Sequence, residues 1–203
     1  MDVTKIQQTN EALRLPGTRG GKRRQLILTA FHDCIIKKGY AKTTLRDVAT
    51  GAGMTASHLL YYFPGKDAML VQYFENVSQT IIERLENFGS ESPQRQLELL
   101  AELFFTGKGI TRSEIGFMLE CFGVAVHDEQ LKAYKTKLDH YCKGYLRDVF
   151  RASPCGPDGA EHAAEIGYSM LIGLRTATYF DKSLKLSRAM ELFRAELLNL
   201  AGL

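Results

Sequence analysis

The chain has 203 residues, 45% of them hydrophobic and 24% charged, which is the composition of a globular protein with ample material for a core. No apolar run reaches the length of a membrane span, and no secretory signal pattern opens the sequence, so we expect a cytoplasmic protein with no membrane partner. The net charge of +3 is small, but residues 1–66 carry +7 and the remainder −4.

This asymmetry of charge is typical of a basic DNA-binding segment followed by a segment that does not bind DNA. A solvated charged face is the alternative that charge alone leaves open. The order of the predicted elements therefore has to decide between the two.

Residues 1–21 precede the first predicted helix. Their last six residues include one proline and three glycines, and no helical period runs through them, so we predict a flexible N-terminal arm. Basic residues follow at 22–24. Such an arm can reach phosphates or the minor groove of DNA, whereas a frayed terminus is the plainer alternative.

A regular apolar stripe then predicts a helix over Gln25–Lys38. Gly39 follows two lysines, which is a typical C-terminal stop with cations placed against the helix dipole. Thr44 is a favoured N-cap for the next helix, and Asp47 stands where it would complete a capping box.

Residues 44–66 predict two short helices joined by a tight turn. Gly53 can adopt the left-handed conformation that such a turn requires. Thr55 is expected to cap the second helix and Pro64 to end it. Two short helices joined in this way are the format of a helix-turn-helix, which carries its second helix into the major groove of DNA.

The rest of the chain predicts helices at about 66–88, 93–106, 111–126, 128–151, 159–180 and 187–200, and no segment shows the alternation of a strand. We therefore predict an all-α fold of nine helices. Its parts are the arm at 1–21, a helix-turn-helix domain at 22–66 and a larger domain at 67–203. The helix at 66–88, about 30 Å long, is expected to link the two domains.

With these elements placed, the first third of the sequence resembles the TetR (tetracycline repressor) family of bacterial transcription regulators. One family run is matched at Thr44, Val48, Ala49, Ala52, Gly53, Met54 and Thr55. A closing run is matched at Tyr62, Phe63, Lys66 and Asp67 and, one step off the usual pair, at Met69 and Leu70. Chain length and helix order agree with the family, so the resemblance implies a nine-helix TetR-like architecture.

The resemblance implies that double-stranded DNA, in the form of a near-palindromic operator, is bound by a homodimer. Phosphate contacts would come from Thr44, Tyr62 and Lys66, with Arg23 and Arg24 as weaker candidates. Base readout would come from Arg46, Thr55, Ala56, Ser57, His58 and Tyr61. Plain surface exposure is the alternative for both Arg46 and His58.

Two departures from the family pattern affect the end of the second helix. Leu60 stands where a phosphate-contacting tyrosine is usual, and Tyr62 replaces a histidine. A leucine cannot bond a phosphate, but it can pack against a thymine methyl group, and Tyr62 can supply the lost phosphate contact. Gly65 also replaces a common serine cap, a loss of only a few tenths of a kcal/mol.

The larger domain is expected, again from the resemblance, to bind a small-molecule effector and to dimerise through its last two helices. Candidate effector contacts are Phe104, Phe117, Met118, Cys121, Phe122, Tyr141, Tyr168, Leu171 and Arg175. Candidate dimer contacts are Gly167, Met170, Gly173, Leu174, Ala177, Leu192 and Leu197. Ordinary core packing is the alternative for the aromatic residues, and Arg175 can face an anionic ligand, a buried acid or the dimer partner.

Other functions are weighed against this one. The sequence has no G-x-S-x-G, no H-E-x-x-H and no phosphate-binding glycine loop, so no enzyme, cofactor or metal site is expected. A helical protein-interaction module and an activator of the same family stay open, since a repressor is only the family default. A redox sensor using Cys121, Cys142 or Cys155 is a further alternative.

Overall fold

The computed structural model describes residues 19–107 and 111–203, and within these ranges the chain forms nine α-helices and no strand, as predicted. The first four are α1 (Arg19–Lys38), α2 (Leu45–Gly51), α3 (Ala56–Tyr62) and α4 (Lys66–Phe88). The other five are α5 (Pro93–Phe105), α6 (Arg112–Ala125), α7 (Glu129–Arg151), α8 (Gly156–Phe180) and α9 (Leu186–Ala201).

The last residues of the flexible arm predicted at 1–21 belong to the first helix instead. Residues 1–18 lie outside the described residues, but Arg19, Gly20 and Gly21 already form the first turn of α1. Glycine in a helix interior costs only about 1 kcal/mol relative to alanine. The helix therefore extends six residues upstream of its predicted start at Gln25.

The local signals around α2 and α3 act as predicted. Thr44 and Asp47 form a capping box, with the Thr44 N–H donating to Asp47 Oδ2 at 2.8 Å and the Asp47 N–H donating to Thr44 Oγ1 at 3.2 Å. Gly53 makes the turn with φ +67°, a backbone conformation that is strained in a residue with a side chain. The His58 N–H donates to Thr55 Oγ1 at 3.2 Å, and Phe63, before Pro64, is extended. These contacts fix where α3 begins and ends.

The chain divides into two compact units whose boundary differs from the one predicted at residue 66. The first consists of Met1–Thr80 and Gly116–Lys135, and the second of Ile81–Ile115 and Thr136–Leu203. Met69, Leu70 and Tyr73 of α4 lie in the same core cluster as α1–α3. The first unit is therefore larger than the helix-turn-helix alone.

Each unit has its own apolar core. In the first, Phe31, Leu59 and Met69 are completely buried, and each comes from a different helix. In the second, Phe150 and Phe193 are completely buried beside the alanine-rich inner side of α8. Complete burial of a large apolar side chain contributes about 1.5–3 kcal/mol. No described helix meets the length and hydropathy of a membrane span.

The last two helices begin earlier than predicted. α8 starts at Gly156 instead of Gly159, because Pro157 is tolerated in the first helical turn. α9 starts at Leu186, with Lys185 at the N-cap position and no side-chain cap, one residue before the predicted Ser187. Such shifts of one to three residues are within the fraying of helix ends.

Candidate functional site

α3 presents an exposed side that is polar at its start and aromatic at its end. Leu59 has no exposed area and anchors the helix, whereas the adjacent Leu60 is 46% and Tyr61 81% exposed. The other predicted base-reading residues of this helix and its cap are exposed as well: Thr55, Ala56, Ser57 and His58. The exposed Leu60 and Tyr61 therefore lie next to the residue that anchors α3 in the core.

Tyr62, the expected phosphate contact that replaces a histidine, is half-buried. Its ring lies 5.4 Å from the ring of His58 and 5.2 Å from that of Tyr61, nearly perpendicular to the latter. These ring contacts limit the orientation of both neighbours. Tyr62 therefore supports the exposed aromatic end of α3.

Arg46 and Thr44 both lie exposed at the start of α2. Arg46 forms no ion pair within the described part of the chain. Thr44 is engaged, since its hydroxyl bonds to Asp47, which also pairs with Lys38. The hydrogen bonds from Lys38 and then from Thr44 hold the pKa of Asp47 well below its ordinary value of 3.8.

This depressed pKa predicts an acid-sensitive contribution to stability. The stabilisation is complete above the ordinary value of 3.8 and is lost as the pH falls through the lower pKa of the folded state. Asp47→Asn is expected to lower the midpoint of thermal unfolding at neutral pH, and the gap to wild type should close in acid. The control is Asp148→Asn, an exposed carboxylate 3.6 Å from Arg151. A gap for Asp47→Asn that is constant with pH would contradict the assignment.

Lys66, the expected phosphate contact, has hydrogen-bond partners within its own unit. Its ammonium donates to the carbonyl oxygen of Tyr40 at 3.0 Å and to that of Thr43 at 3.5 Å. It also lies 4.4 Å from the centre of the Tyr40 ring, within the range of a cation–π contact. Lys66 therefore ties the first turn of α4 to the segment that precedes α2.

Sequence reasoning missed the residues that complete this contact. The Tyr40 N–H donates to Glu120 Oε2 at 2.8 Å, and the Tyr40 hydroxyl donates to Asp67. Burial, and then the hydrogen bond to Asp67, raises the pKa of Tyr40. At Gly39, φ is +81° and an added Cβ would lie 2.9 Å from Glu120 Oε1. No spacing in the sequence indicates a contact between residues 80 positions apart.

The nine candidate effector residues divide between the two units. The first unit contains Phe117, Met118, Cys121 and Phe122, and the second contains Phe104, Tyr141, Tyr168, Leu171 and Arg175. In the first, Phe117 packs 4.8 Å from both His32 and Tyr73, measured between ring centres, which is ordinary core packing. Cys121 and Cys142 are buried thiols, as expected for core cysteines.

Within the second unit, Tyr168 and Arg175 are the candidates with unusual surroundings. The Tyr168 hydroxyl donates to Asp139, and burial raises the pKa of Tyr168. The guanidinium carbon of Arg175 lies 5.5 Å from the centre of the Phe104 ring. Burial lowers the pKa of Arg175 to about 10, although Glu114 acts in the opposite direction.

Two of the seven candidate dimer residues are buried in the core of the second unit. Leu197 has no exposed area, and an added Cβ at Gly167 would lie 2.9 Å from its Cδ2. Both are used in packing α8 against α9, because glycine permits the close approach. This corrects the expectation that they face a partner. The remaining five are exposed or half-buried: Met170, Gly173, Leu174, Ala177 and Leu192.

Comparisons with known proteins agree with this arrangement. The model of the family "Bacterial regulatory proteins, tetR family" matches residues 27–73. The model "BetI-type transcriptional repressor, C-terminal" matches residues 93–202, more than half of the chain. Together with the exposed α3, these matches define a helix-turn-helix transcriptional regulator that binds DNA and is not an enzyme. The chain belongs to the TetR family, with a C-terminal part of the BetI type.

Individual relatives give the same result. The regulator BetI 1 of Chromohalobacter salexigens is 26% identical over 156 residues, 75% of this chain and 76% of that protein. The regulator RutR of Escherichia coli K12 is 29% identical over 83 residues, 39% of each chain. The structure of a regulator from a Rhodococcus species superposes with a TM-score of 0.76 at 18% identity, over 89% of this chain and 98% of that one.

A further structural neighbour carries a ligand. A regulator from Saccharomonospora viridis, in complex with choline, superposes with a TM-score of 0.76 at 16% identity and covers 88% of this chain and 96% of that one. Identity at this level supports the shared fold only.

Proposed function

We propose that this regulator is a ligand-released repressor that binds a near-palindromic operator as a homodimer. The observation that carries the proposal is the exposed side of α3, capped by Thr55 and anchored by the buried Leu59. Two such helices enter successive major grooves, whose centres are about 34–36 Å apart. We assign base contacts to the exposed Thr55, Ser57, His58 and Tyr61, with Leu60 against a thymine methyl group.

We assign the dimer contact to the outer sides of α8 and α9. Gly173 is exposed, Leu192 is 38% exposed, and Ile166 is 42% exposed on the same side of α8 as Gly173. Small residues at Gly173 and Ala177 allow helices to approach closely. An apolar strip of this kind on a surface helix supports burial against a second copy of the chain.

The proposed effector acts by shifting a population. A small molecule that binds the C-terminal part favours a state in which two copies of α3 are spaced wrongly for successive grooves. The shift can be no larger than the effector's difference in affinity between the two states. The choline complex of a structural neighbour supports the idea that such a fold can hold a small ligand.

The test of DNA recognition is an operator titration at several salt concentrations. Affinity is expected to fall steeply as salt rises, because bound Lys and Arg release counterions from DNA. Arg46→Ala should cost about 1–3 kcal/mol and relax the base preference at one position. The matched control is Arg84→Ala, an exposed arginine of α4. Unchanged affinity and base preference for Arg46→Ala would remove Arg46 from base readout.

The alternatives are separated by simple assays. A reporter gene behind the operator distinguishes a repressor from an activator by the direction of change when the regulator is deleted. A redox sensor requires that Cys121→Ser, Cys142→Ser or Cys155→Ser keeps DNA bound under oxidant. Burial of Cys121 and Cys142 disfavours reactive thiolates there.

A further inference from the structure

Arg175 lies on the inner side of α8, not on the side proposed to face a second copy. Positions 164, 168, 171 and 178 of this helix are buried, and Arg175 continues the same stripe, one turn after Leu171 and one turn before Thr178. Its Nε is shielded from solvent and has no hydrogen-bond partner among the described residues. Of the roles open to this arginine, an ion pair across a dimer is therefore the least compatible with its position.

The charge of Arg175 is only partly compensated by its surroundings. Glu114 of α6 acts on it electrostatically, but burial outweighs that effect and the pKa falls to about 10. The group remains charged at neutral pH. A guanidinium that stays charged while it is largely shielded from water is stabilised by an anion that pairs with it.

Arg112, in the same unit, is an arginine whose guanidinium is held by hydrogen bonds. Its Nε and Nη2 donate to the carbonyl oxygen of Thr178 at 3.0 and 2.7 Å, and Nη2 also reaches the carbonyl oxygen of Asp181 at 3.1 Å. Those hydrogen bonds satisfy carbonyl oxygens at the C-terminal end of α8. Arg175, three residues before Thr178, forms no comparable set of hydrogen bonds within residues 19–107 and 111–203.

From this contrast we infer that Arg175 binds the carboxylate of an organic monoanion, and that this anion is the effector of the proposed function. A guanidinium matches a carboxylate with two parallel hydrogen bonds. Phe104, Leu171 and the ring of Tyr168 are buried apolar neighbours of Arg175 and would line the body of the ligand. The negative charge of Glu114 disfavours a dianion more than a monoanion, and the positive charge of Arg175 disfavours a cation such as choline.

The test is a set of thermal melts of the whole chain without DNA, using benzoate, hexanoate, the two matching amides and choline as probes. Arg175→Met keeps the length and apolar volume of the side chain and removes the charge. Its melting temperature is expected to equal or exceed that of wild type, because a shielded and incompletely compensated charge is removed. The matched control, Arg112→Met, is expected to melt at a lower temperature than wild type, since it removes the hydrogen bonds to the carbonyl oxygens at the end of α8.

At least one carboxylate should raise the melting temperature of wild type more than its amide or choline does, and this difference should vanish in Arg175→Met. The inference is overturned if Arg175→Met melts as low as Arg112→Met, if the carboxylate effect survives in Arg175→Met, or if no carboxylate exceeds its amide. The melts contain no DNA, so they are independent of the operator titration, which tests the proposed function by itself.

Discussion

Ser57→Glu is expected to abolish operator binding while leaving the fold intact. Ser57 is the second residue of α3 and is exposed, so a carboxylate there would face the groove and its phosphates. Like charges placed together at an interface cost several kcal/mol, which corresponds to about 100-fold or more in affinity. In the first turn of a helix the same carboxylate is favourable to the dipole by about 0.3–1 kcal/mol. The measurements are an operator gel shift and a thermal melt.

Gln130→Glu is the matched control for this change. Gln130 is likewise an exposed second residue of a helix, α7, so the two variants alter net charge and helix dipole in the same way. Only Ser57→Glu should lose DNA. Equal affinities for the two variants would place the DNA contact elsewhere than on α3.

Leu59→Ala is expected to lose both stability and DNA binding. Leu59 has no exposed area and connects α3 to the core of the first unit. Truncating a buried leucine costs about 2–5 kcal/mol, a large part of the roughly 5–15 kcal/mol that holds a typical domain. Urea unfolding and operator titration, made on the same preparations, measure the two losses.

The adjacent Leu60 supplies the control for this prediction. Leu60 is 46% exposed, so Leu60→Ala removes little buried surface and should leave the urea midpoint almost unchanged. Its effect should fall on DNA affinity alone, at sites with a thymine under this position. Similar losses of stability for the two variants would contradict the orientation of α3.

The parts that sequence predicts well are those that local contacts decide. Thr44 with Asp47, and Thr55 with the His58 N–H, act over three residues, and Gly53 needs only its own backbone freedom. The helices and their order are also predictable from short-range patterns, because the apolar period of each helix repeats within a few turns. The exposed side of α3 was predictable for this reason.

The parts that sequence could not predict depend on distant residues. Lys66 has the spacing of a phosphate contact, yet its ammonium is engaged by the carbonyl oxygens of Tyr40 and Thr43. Leu197 has the pattern of a surface leucine, yet the absence of a side chain at Gly167 lets it close the core. Each of these outcomes is set by which helices cross, and no local period carries that information.

The extent of the first unit is a further case. The predicted boundary at residue 66 follows the end of the helix-turn-helix, but Met69, Leu70 and Tyr73 complete the core beneath it. Residues 116–135 also belong to this unit, although residues 81–115, which belong to the other unit, separate them from its first segment. A domain that is discontinuous in sequence leaves no compositional mark at its borders.

The most direct measurement is selection of bound duplexes from a random pool of double-stranded DNA, carried out with wild type and with Ser57→Glu. Wild type is expected to enrich a near-palindromic site whose half-sites are spaced by about one helical turn or a multiple of it, and Ser57→Glu should enrich nothing. An enriched site without two-fold symmetry would contradict the homodimer. The same site enriched by both proteins would contradict recognition by α3.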